Sequence, residues 1–384
     1  MAESQALAGR RIVAKFGTKL LTGGGQRLSA EVMSDLVRQV ATLVQSGVEV
    51  AIVTSGAVAA GHDRLGTHDG TSNIERRQVL AAIGQSHLVE RYDTLLREHG
   101  LIAAQALLTR ADLSDRAGYL NARNTLEGLL GAPQVVPVIN ENDVVADDEL
   151  RGGAFGENDG LSALVANLID ADLLVLLSDV QGLYEVDPRI EPDATPIAEV
   201  ADFEAALRSA GPPAADTGPG RRRGSGRGGM RAKVEAARLA TSSGCVVVVA
   251  HGQEPDALLR IAAGEALGTR FPAAATKQES RKRWLLSGLE AAGAIVVDEG
   301  AVRALQDAGR SLLAAGIVGV TGEFERGDVV EVQGPGGTRI AVGISDYGSR
   351  EIEAIRGQQS NRIAEILGYE LGEEVIHRNN LVVL

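Results

Sequence analysis

Two wholly apolar runs, residues 135–139 and 173–177, each stop abruptly in small polar and acidic residues. The first breaks at Asn140-Glu141-Asn142-Asp143 and the second at Ser178-Asp179. A short continuous apolar run bounded by turn-forming residues marks a strand buried on both faces, as in a parallel sheet covered by helices. Polar side chains just past the carboxyl ends of such strands fall in the crevice where open α/β sheets bind ligands. Between the runs, Asn158-Asp159-Gly160 leads into Leu161, Leu164, Val165 and Leu168, an apolar stripe at helical spacing. Asn158 and Asp159 are therefore expected at a helix start.

The rest of the chain repeats that alternation. Residues 11–16 read as a strand that breaks at Gly17, and Lys15 interrupts its apolar run. Ser29 can cap the helix that follows, with Glu31 favourable in its first turn. Residues 48–53 form the next strand, closing in Thr54-Ser55-Gly56-Ala57 and a small-residue helix to Gly61. Strand and helix in this order mean a parallel sheet with right-handed crossovers. Residues 62–75 read as a polar loop, then 77–98 as helix, 101–108 as strand and 121–130 as helix. Residues 201–209 and 230–240 read as helices and 245–250 as a strand. Residues 211–229, rich in Gly, Pro and Arg, carry no apolar periodicity. A second shift of composition spans 262–279. Beyond it come short strands at 294–297, 316–321, 329–332 and 340–344, with Gly327-Asp328 and Gly334-Pro335-Gly336-Gly337 as turns. The expected organisation is an α/β domain over 1–262, a linker over 263–284 and a small, mainly β domain over 285–384.

Length supports that division, since 384 residues exceed one typical domain. A net charge of −13 argues against a polyanion-binding protein as a whole. Cys245 is the single cysteine, so no disulfide forms within the chain, and its apolar flank makes it a small buried strand residue. No export signal is read at the N-terminus. No segment approaches the about 18 apolar residues of a membrane span. A cytoplasmic setting is expected.

Two lysines stand out by position. Lys15 lies just ahead of Gly17, and Lys233 follows Gly228-Gly229 on the first turns of a helix. A lone lysine is ordinarily a solvated surface charge, but an ammonium beside a glycine turn and a helix N-terminus suits phosphate oxygens. Neither a Gly-x-x-x-x-Gly-Lys-Ser/Thr loop nor Gly-x-Gly-x-x-Gly after the first strand is present, and His-Glu-x-x-His is absent. The six histidines are scattered. Ser55 lacks the Gly-x-Ser-x-Gly elbow and is either a helix cap or, with adjacent amides, a holder for a substrate carboxylate. Asp143, Asp159 and Asp179 stand at successive strand or helix ends, as metal ligands, a general base, a clamp for an ammonium, or turn formers. From the residues alone this is a nucleotide or phosphate site with two lysines and several acids, its acceptor open.

Residues 53–61 (Val-Thr-Ser-Gly-Ala-Val-Ala-Ala-Gly), 108–112 (Leu-Thr-Arg-Ala-Asp), 119–123 (Tyr-Leu-Asn-Ala-Arg), 137–143 (Pro-Val-Ile-Asn-Glu-Asn-Asp), 158–163 (Asn-Asp-Gly-Leu-Ser-Ala) and 182–189 (Gly-Leu-Tyr-Glu-Val-Asp-Pro-Arg) together resemble the bacterial glutamate 5-kinases of the amino acid kinase superfamily. The likeness covers about residues 10–260. The remainder, including Ile366-Leu367-Gly368-Tyr369-Glu370-Leu371-Gly372, is similar to the PUA domain appended to many of them. The resemblance implies an amino acid kinase-like three-layer αβα sandwich followed by a mainly β PUA domain. It implies transfer of the ATP γ-phosphoryl group to the side chain of L-glutamate, with Mg²⁺ on the nucleotide and no protein metal site. Proline is the implied feedback inhibitor, and a homo-oligomer, dimer or tetramer, the implied assembly.

By the same resemblance, Lys15 and Lys233 neutralise the transferring phosphoryl group, and Asp179 orients them and borders the ATP site with Ser178. Ser55, Gly56, Asp143 and Asn158 bind glutamate, with Asp143 suited to its α-ammonium. Arg227, Gly228, Gly229, Met230 and Lys233 lie along the nucleotide. Departures from the family pattern are Arg227 where a threonine is usual, Glu157 where Asp is common, and the basic stretch 218–226, read as a solvated loop. The rivals are another carboxylate or carbamate kinase of the superfamily, and an RNA-binding protein acting through its PUA domain. Residues 281–384 hold 11 Lys and Arg against 15 Asp and Glu. That net charge of −4 lacks the basic footprint of an RNA binder, so a structural or regulatory role is expected there.

Overall fold

The computed structural model describes residues 10–67, 73–146, 158–186, 188, 191, 193–211, 227–274 and 291–384. The chain divides into two compact units. One comprises Met1–Leu113 and Ala122–Lys277, the other Ser114–Asn121 and Gln278–Leu384.

The first unit is built on seven strands: β1 (Arg11–Phe16), β2 (Glu49–Thr54), β3 (Ile102–Leu108), β4 (Val135–Glu141), β5 (Leu173–Ser178), β6 (Val246–His251) and β7 (Thr269–Phe271). Their order is β3-β4-β2-β1-β5-β6-β7. All neighbours run parallel except β7, which pairs antiparallel with β6. β7 corrects the expectation of a linker over 263–284, because the sheet continues into that stretch. Its three residues alternate buried, exposed, buried, too short a pattern to register as an apolar run.

The two-residue period of a strand sorts β1 between two helical layers. Ile12, Ala14 and Phe16 enter the main core, so Val13 and Lys15 face the other way. The main core collects the apolar faces of α1 (Ala30–Gln45), α2 (Ala57–Leu65) and α3 (Ile74–Arg97). The opposite face is covered by α4 (Asp159–Leu168) and α5 (Arg227–Ser242), which pack on each other and on β1, β5 and β6. Ser29 Oγ accepts from Val32 N–H at 3.3 Å, the expected cap of α1.

The polar residues after Gly61 do not begin a loop, as expected over 62–75; α2 runs on to Leu65 and closes at Gly66, whose φ of 64° is left-handed. Gly61 is a contact residue instead. A Cβ there would lie 2.1 Å from Leu80 O, and one on Gly84 would lie 1.9 Å from Ala57 O, so α2 and α3 touch backbone to backbone.

The second unit has a five-stranded sheet of β8 (Gly293–Val297), β10 (Ile317–Gly322), β11 (Val329–Gln333), β12 (Arg339–Ile344) and β14 (Leu381–Val383), ordered β10-β8-β11-β12-β14. A ladder of β9 (Leu312–Leu313) and β13 (Glu374–Ile376) completes it. Ile295, Val297, Phe324, Val330, Val332, Ile352 and Ile376 fill its core, and Leu120 joins Val329, Val342 and Ile344 in a smaller cluster. The four strands expected here are present; β9, β13 and β14 are additional. No helix among the described residues is long and apolar enough to cross a membrane.

Candidate active site

Three charged side chains meet where β1, α4 and α5 converge. Lys15 projects from β1 onto the face covered by the two helices. Asp159 opens α4, and Lys233 sits in the second turn of α5. Lys15 Nζ lies 2.7 Å from Asp159 Oδ1, and Lys233 Nζ lies 3.0 Å from Asp159 Oδ2. Lys15 and Asp159 are fully buried and Lys233 nearly so. Withdrawing such ions from water costs several kcal/mol each unless they are paired. One carboxylate between two ammonium groups gives these three side chains a sum of one positive charge, a setting that favours an anion beside them. The Lys15–Asp159 contact is close but lacks hydrogen-bond alignment, and Lys15 Nζ has no hydrogen-bond partner among the described residues.

This arrangement corrects the orienting role expected for Asp179. Asp159 joins the lysines, whereas Asp179 pairs with Lys19, Nζ to Oδ2 at 3.3 Å, with both side chains about half exposed. Asp179 lies one residue past the end of β5, beyond the packed layer, while Asp159 is held inside it by α4. Asp159 was visible in the sequence only as one of three strand-end acids. Lys19 carried no sequence signal beyond its nearness to Lys15.

Beside the cluster, the ends of β2 and β4 supply a polar network. Asn158 has a left-handed φ of 62°, unusual for a residue with a Cβ. Its side chain holds it there: Nδ2 donates to Thr54 O and to Asn140 Oδ1, each at 2.6 Å. Asn140 Nδ2 in turn donates to Gln85 Oε1 at 2.7 Å. Both amide protons of Asn158 are thereby committed, leaving its carbonyl oxygen as the side-chain group for a ligand. Asn140 and Gln85 were not singled out in the sequence.

Ser55 is buried, and Gly56 after it has φ 101°, which a side chain would strain. Asp143, two residues past β4, is buried with Oδ1 unpartnered among the described residues. Burial pushes its carboxyl up to about 6, with the Arg77 guanidinium pulling the other way. A buried carboxylate lacking a hydrogen-bond donor is suited to a ligand cation.

On the other side, Ser178 is buried and Asp179 exposed at the end of β5. Arg227, Gly228, Gly229 and Met230 form the first turn of α5, whose backbone N–H groups are available to an anion. The basic stretch 218–226 and Glu157 lie outside the described residues. A cavity of about 310 Å³ is lined by Gln181, Gly182, Pro196, His251, Glu254 and Thr269. His251 pairs in register with Ser178, which puts the cavity beside the same strand ends. It falls at the small end of ligand pockets, about 300–1,000 Å³. Among the described residues no group of three or more His, Cys, Asp or Glu could hold a metal ion. Both oxygens of Asp159 already face ammonium groups. This donor set suits a magnesium ion carried by nucleotide phosphates better than one caged by protein.

The chain matches the amino acid kinase family over residues 10–251 and the PUA domain over residues 293–367. It is 49% identical over 375 residues to the glutamate 5-kinase of Dehalococcoides mccartyi (strain CBDB1), covering 98% of each chain. It is likewise 49% identical over 372 residues to that of Herpetosiphon aurantiacus, covering 97% of this chain and 98% of the relative. The glutamate 5-kinase of Shewanella oneidensis is 45% identical over 378 residues, at 98% and 99% coverage.

Proposed function

This chain belongs to the glutamate 5-kinases of the amino acid kinase family, and on that premise we propose that the site described above transfers the γ-phosphoryl group of ATP to the side-chain carboxylate of L-glutamate. The product is γ-glutamyl phosphate, and the reaction opens proline biosynthesis. The relatives do not favour another acceptor or an RNA-binding role.

The observation that carries the assignment of residues is the pair of lysines on one buried carboxylate. A glutamate side chain is ionised at neutral pH, so its oxygen attacks the γ-phosphorus without a general base. One O–P bond forms, the bond to the β-phosphate oxygen breaks, and ADP leaves with its electron pair. Little covalent chemistry is asked of the protein, and catalysis reduces to positioning and charge stabilisation. Lys15 and Lys233 supply fixed positive charge in a water-poor site, where it acts strongly and needs no reorganisation. Asp159 keeps the two ammonium groups together against their mutual repulsion.

In this reading Asp143 takes the α-ammonium of glutamate and the Asn158 carbonyl oxygen accepts a second of its protons, while Ser55 and Gly56 serve a carboxylate. Ser178, Asp179 and the first turn of α5 border the nucleotide, and the cavity beside His251 receives its base. Magnesium enters on the ATP phosphates and supplies further charge neutralisation there. We assign catalysis to residues 1–262 and a structural or regulatory role to residues 285–384. Proline as feedback inhibitor, a homo-oligomer and a cytoplasmic location complete the proposal.

The test is acyl-phosphate formation with ATP and magnesium, trapped as the hydroxamate, with L-glutamate offered beside N-acetylglutamate and L-aspartate. A glutamate-selective signal suppressed by proline is the expected result; no signal with glutamate would sink the assignment. Light scattering reads the assembly.

A further inference from the structure

We infer that Lys19 is a third nucleotide-binding lysine, paired with Asp179 across the rim of the site and able to exchange that contact for the polyphosphate of a bound nucleotide. The inference rests on the proposed function and deepens its nucleotide side. Its basis is the way the chain turns after β1. Gly17 N–H bonds to Leu177 O at 3.3 Å, which draws the turn over the end of the neighbouring strand β5. The short helix Thr18–Leu21 follows, and its Leu20 and Leu21 are buried. Leu20 is seated so closely on Gly252 that a Cβ there would lie 2.3 Å from Leu20 Cδ2. The two leucines fix the backbone of Lys19 at the carboxyl ends of β1, β5 and β6 while its own side chain stays outward, 37% exposed.

At that position Lys19 meets Asp179, one residue past β5. An ion pair with both partners half exposed contributes about 0–1 kcal/mol, so it exchanges partners readily. The charge balance favours an exchange. Lys15, Asp159 and Lys233 together carry one positive charge, and the Lys19–Asp179 pair carries none. ATP brings several negative charges to the same strand ends. Moving one flexible ammonium from the half-exposed Asp179 carboxylate to phosphate oxygens supplies the next positive charge without any movement of backbone. The buried lysines, held by the packing around them, have no such freedom.

The test uses the full-length protein and direct binding, independent of any acceptor. Calorimetry would measure a non-hydrolysable ATP analogue with magnesium, and AMP, on the wild type, Lys19→Met and Lys19→Arg. Lys19→Met is expected to weaken the ATP analogue about tenfold. AMP affinity should stay within about twofold and the melting temperature within about 1 °C, since the residue is a surface group. Lys19→Arg should recover most of the loss. Equal weakening of both nucleotides, or of neither, would overturn the inference and leave the kinase assignment standing. A wild type that binds no nucleotide would overturn both.

Discussion

The first unit carries two lysine–aspartate clusters that begin on the same turn of chain, at Lys15 and Lys19, but differ in environment. Lys15, Asp159 and Lys233 are buried, and their geometry is fixed by β1, α4 and α5. Lys19 and Asp179 are half exposed on the rim, and only side-chain rotamers define their contact. The same two residue types therefore do different physical work. In the buried cluster, charge is preorganised and costly to disturb; on the rim it is screened, cheap and exchangeable. A site handling a polyanion gains from both, since a fixed centre sets the transferring group and a mobile one follows the ligand.

The largest expected effect comes from neutralising the shared carboxylate. Asp159→Asn keeps the shape but removes the carboxylate charge that buried Lys15 and Lys233 share. It should cost about 3–5 kcal/mol of stability. Turnover should fall by at least about 10³-fold as the lysines lose their alignment. Urea unfolding and the hydroxamate assay measure the two losses, and near-normal values for both would erase the distinction drawn here. Adding Lys15→Met to Asp159→Asn should return part of the stability, because it removes a buried ammonium that has lost its carboxylate.

Next in size are Lys15→Met and Lys233→Met, each expected to reduce turnover by about 10²–10³-fold. Asp143 separates function from stability at a third place. Its carboxyl is raised to about 6 by burial, so the folded protein holds a proton that the unfolded chain, near 3.8, has released. The ionised form therefore costs stability fully above about pH 6, and this cost disappears as pH falls below about 4. Asp143→Asn should accordingly raise the melting temperature at pH 7–8 by roughly 2–4 °C. The same change should increase KM for glutamate about 100-fold through loss of the ammonium partner. In the wild type, kcat/KM for glutamate should fall as pH drops through about 6, and a flat profile there would remove Asp143 from the ammonium site. The smallest effect belongs to the rim: Asp179→Asn should change stability by less than about 0.5 kcal/mol.

Much of this architecture is legible in the sequence. The apolar runs at 135–139 and 173–177 became β4 and β5, the Ser29 cap formed, and Asn158 and Asp159 stand where a helix begins. These features depend on neighbours in sequence: a side-chain period, a capping oxygen, a breaker after a strand. The failures were of another kind. Thr269–Phe271 was hidden inside a change of composition, because a three-residue strand is defined by its partner β6 rather than by its own pattern. α2 outran Gly61, because that glycine serves a close approach by α3 that no local rule records.

The site divides along the same line. That lysines and acids stand at the carboxyl ends of buried parallel strands is written in short runs of residues, because those runs encode both strand burial and strand polarity. That Asp159 rather than Asp179 joins Lys15 to Lys233 follows from how remote segments pack. Packing likewise commits both amide protons of Asn158 to Thr54 and Asn140. Those pairings depend on which face of β1 meets α4 and α5, and on angstrom-scale distances between segments remote in the chain, which packing alone sets.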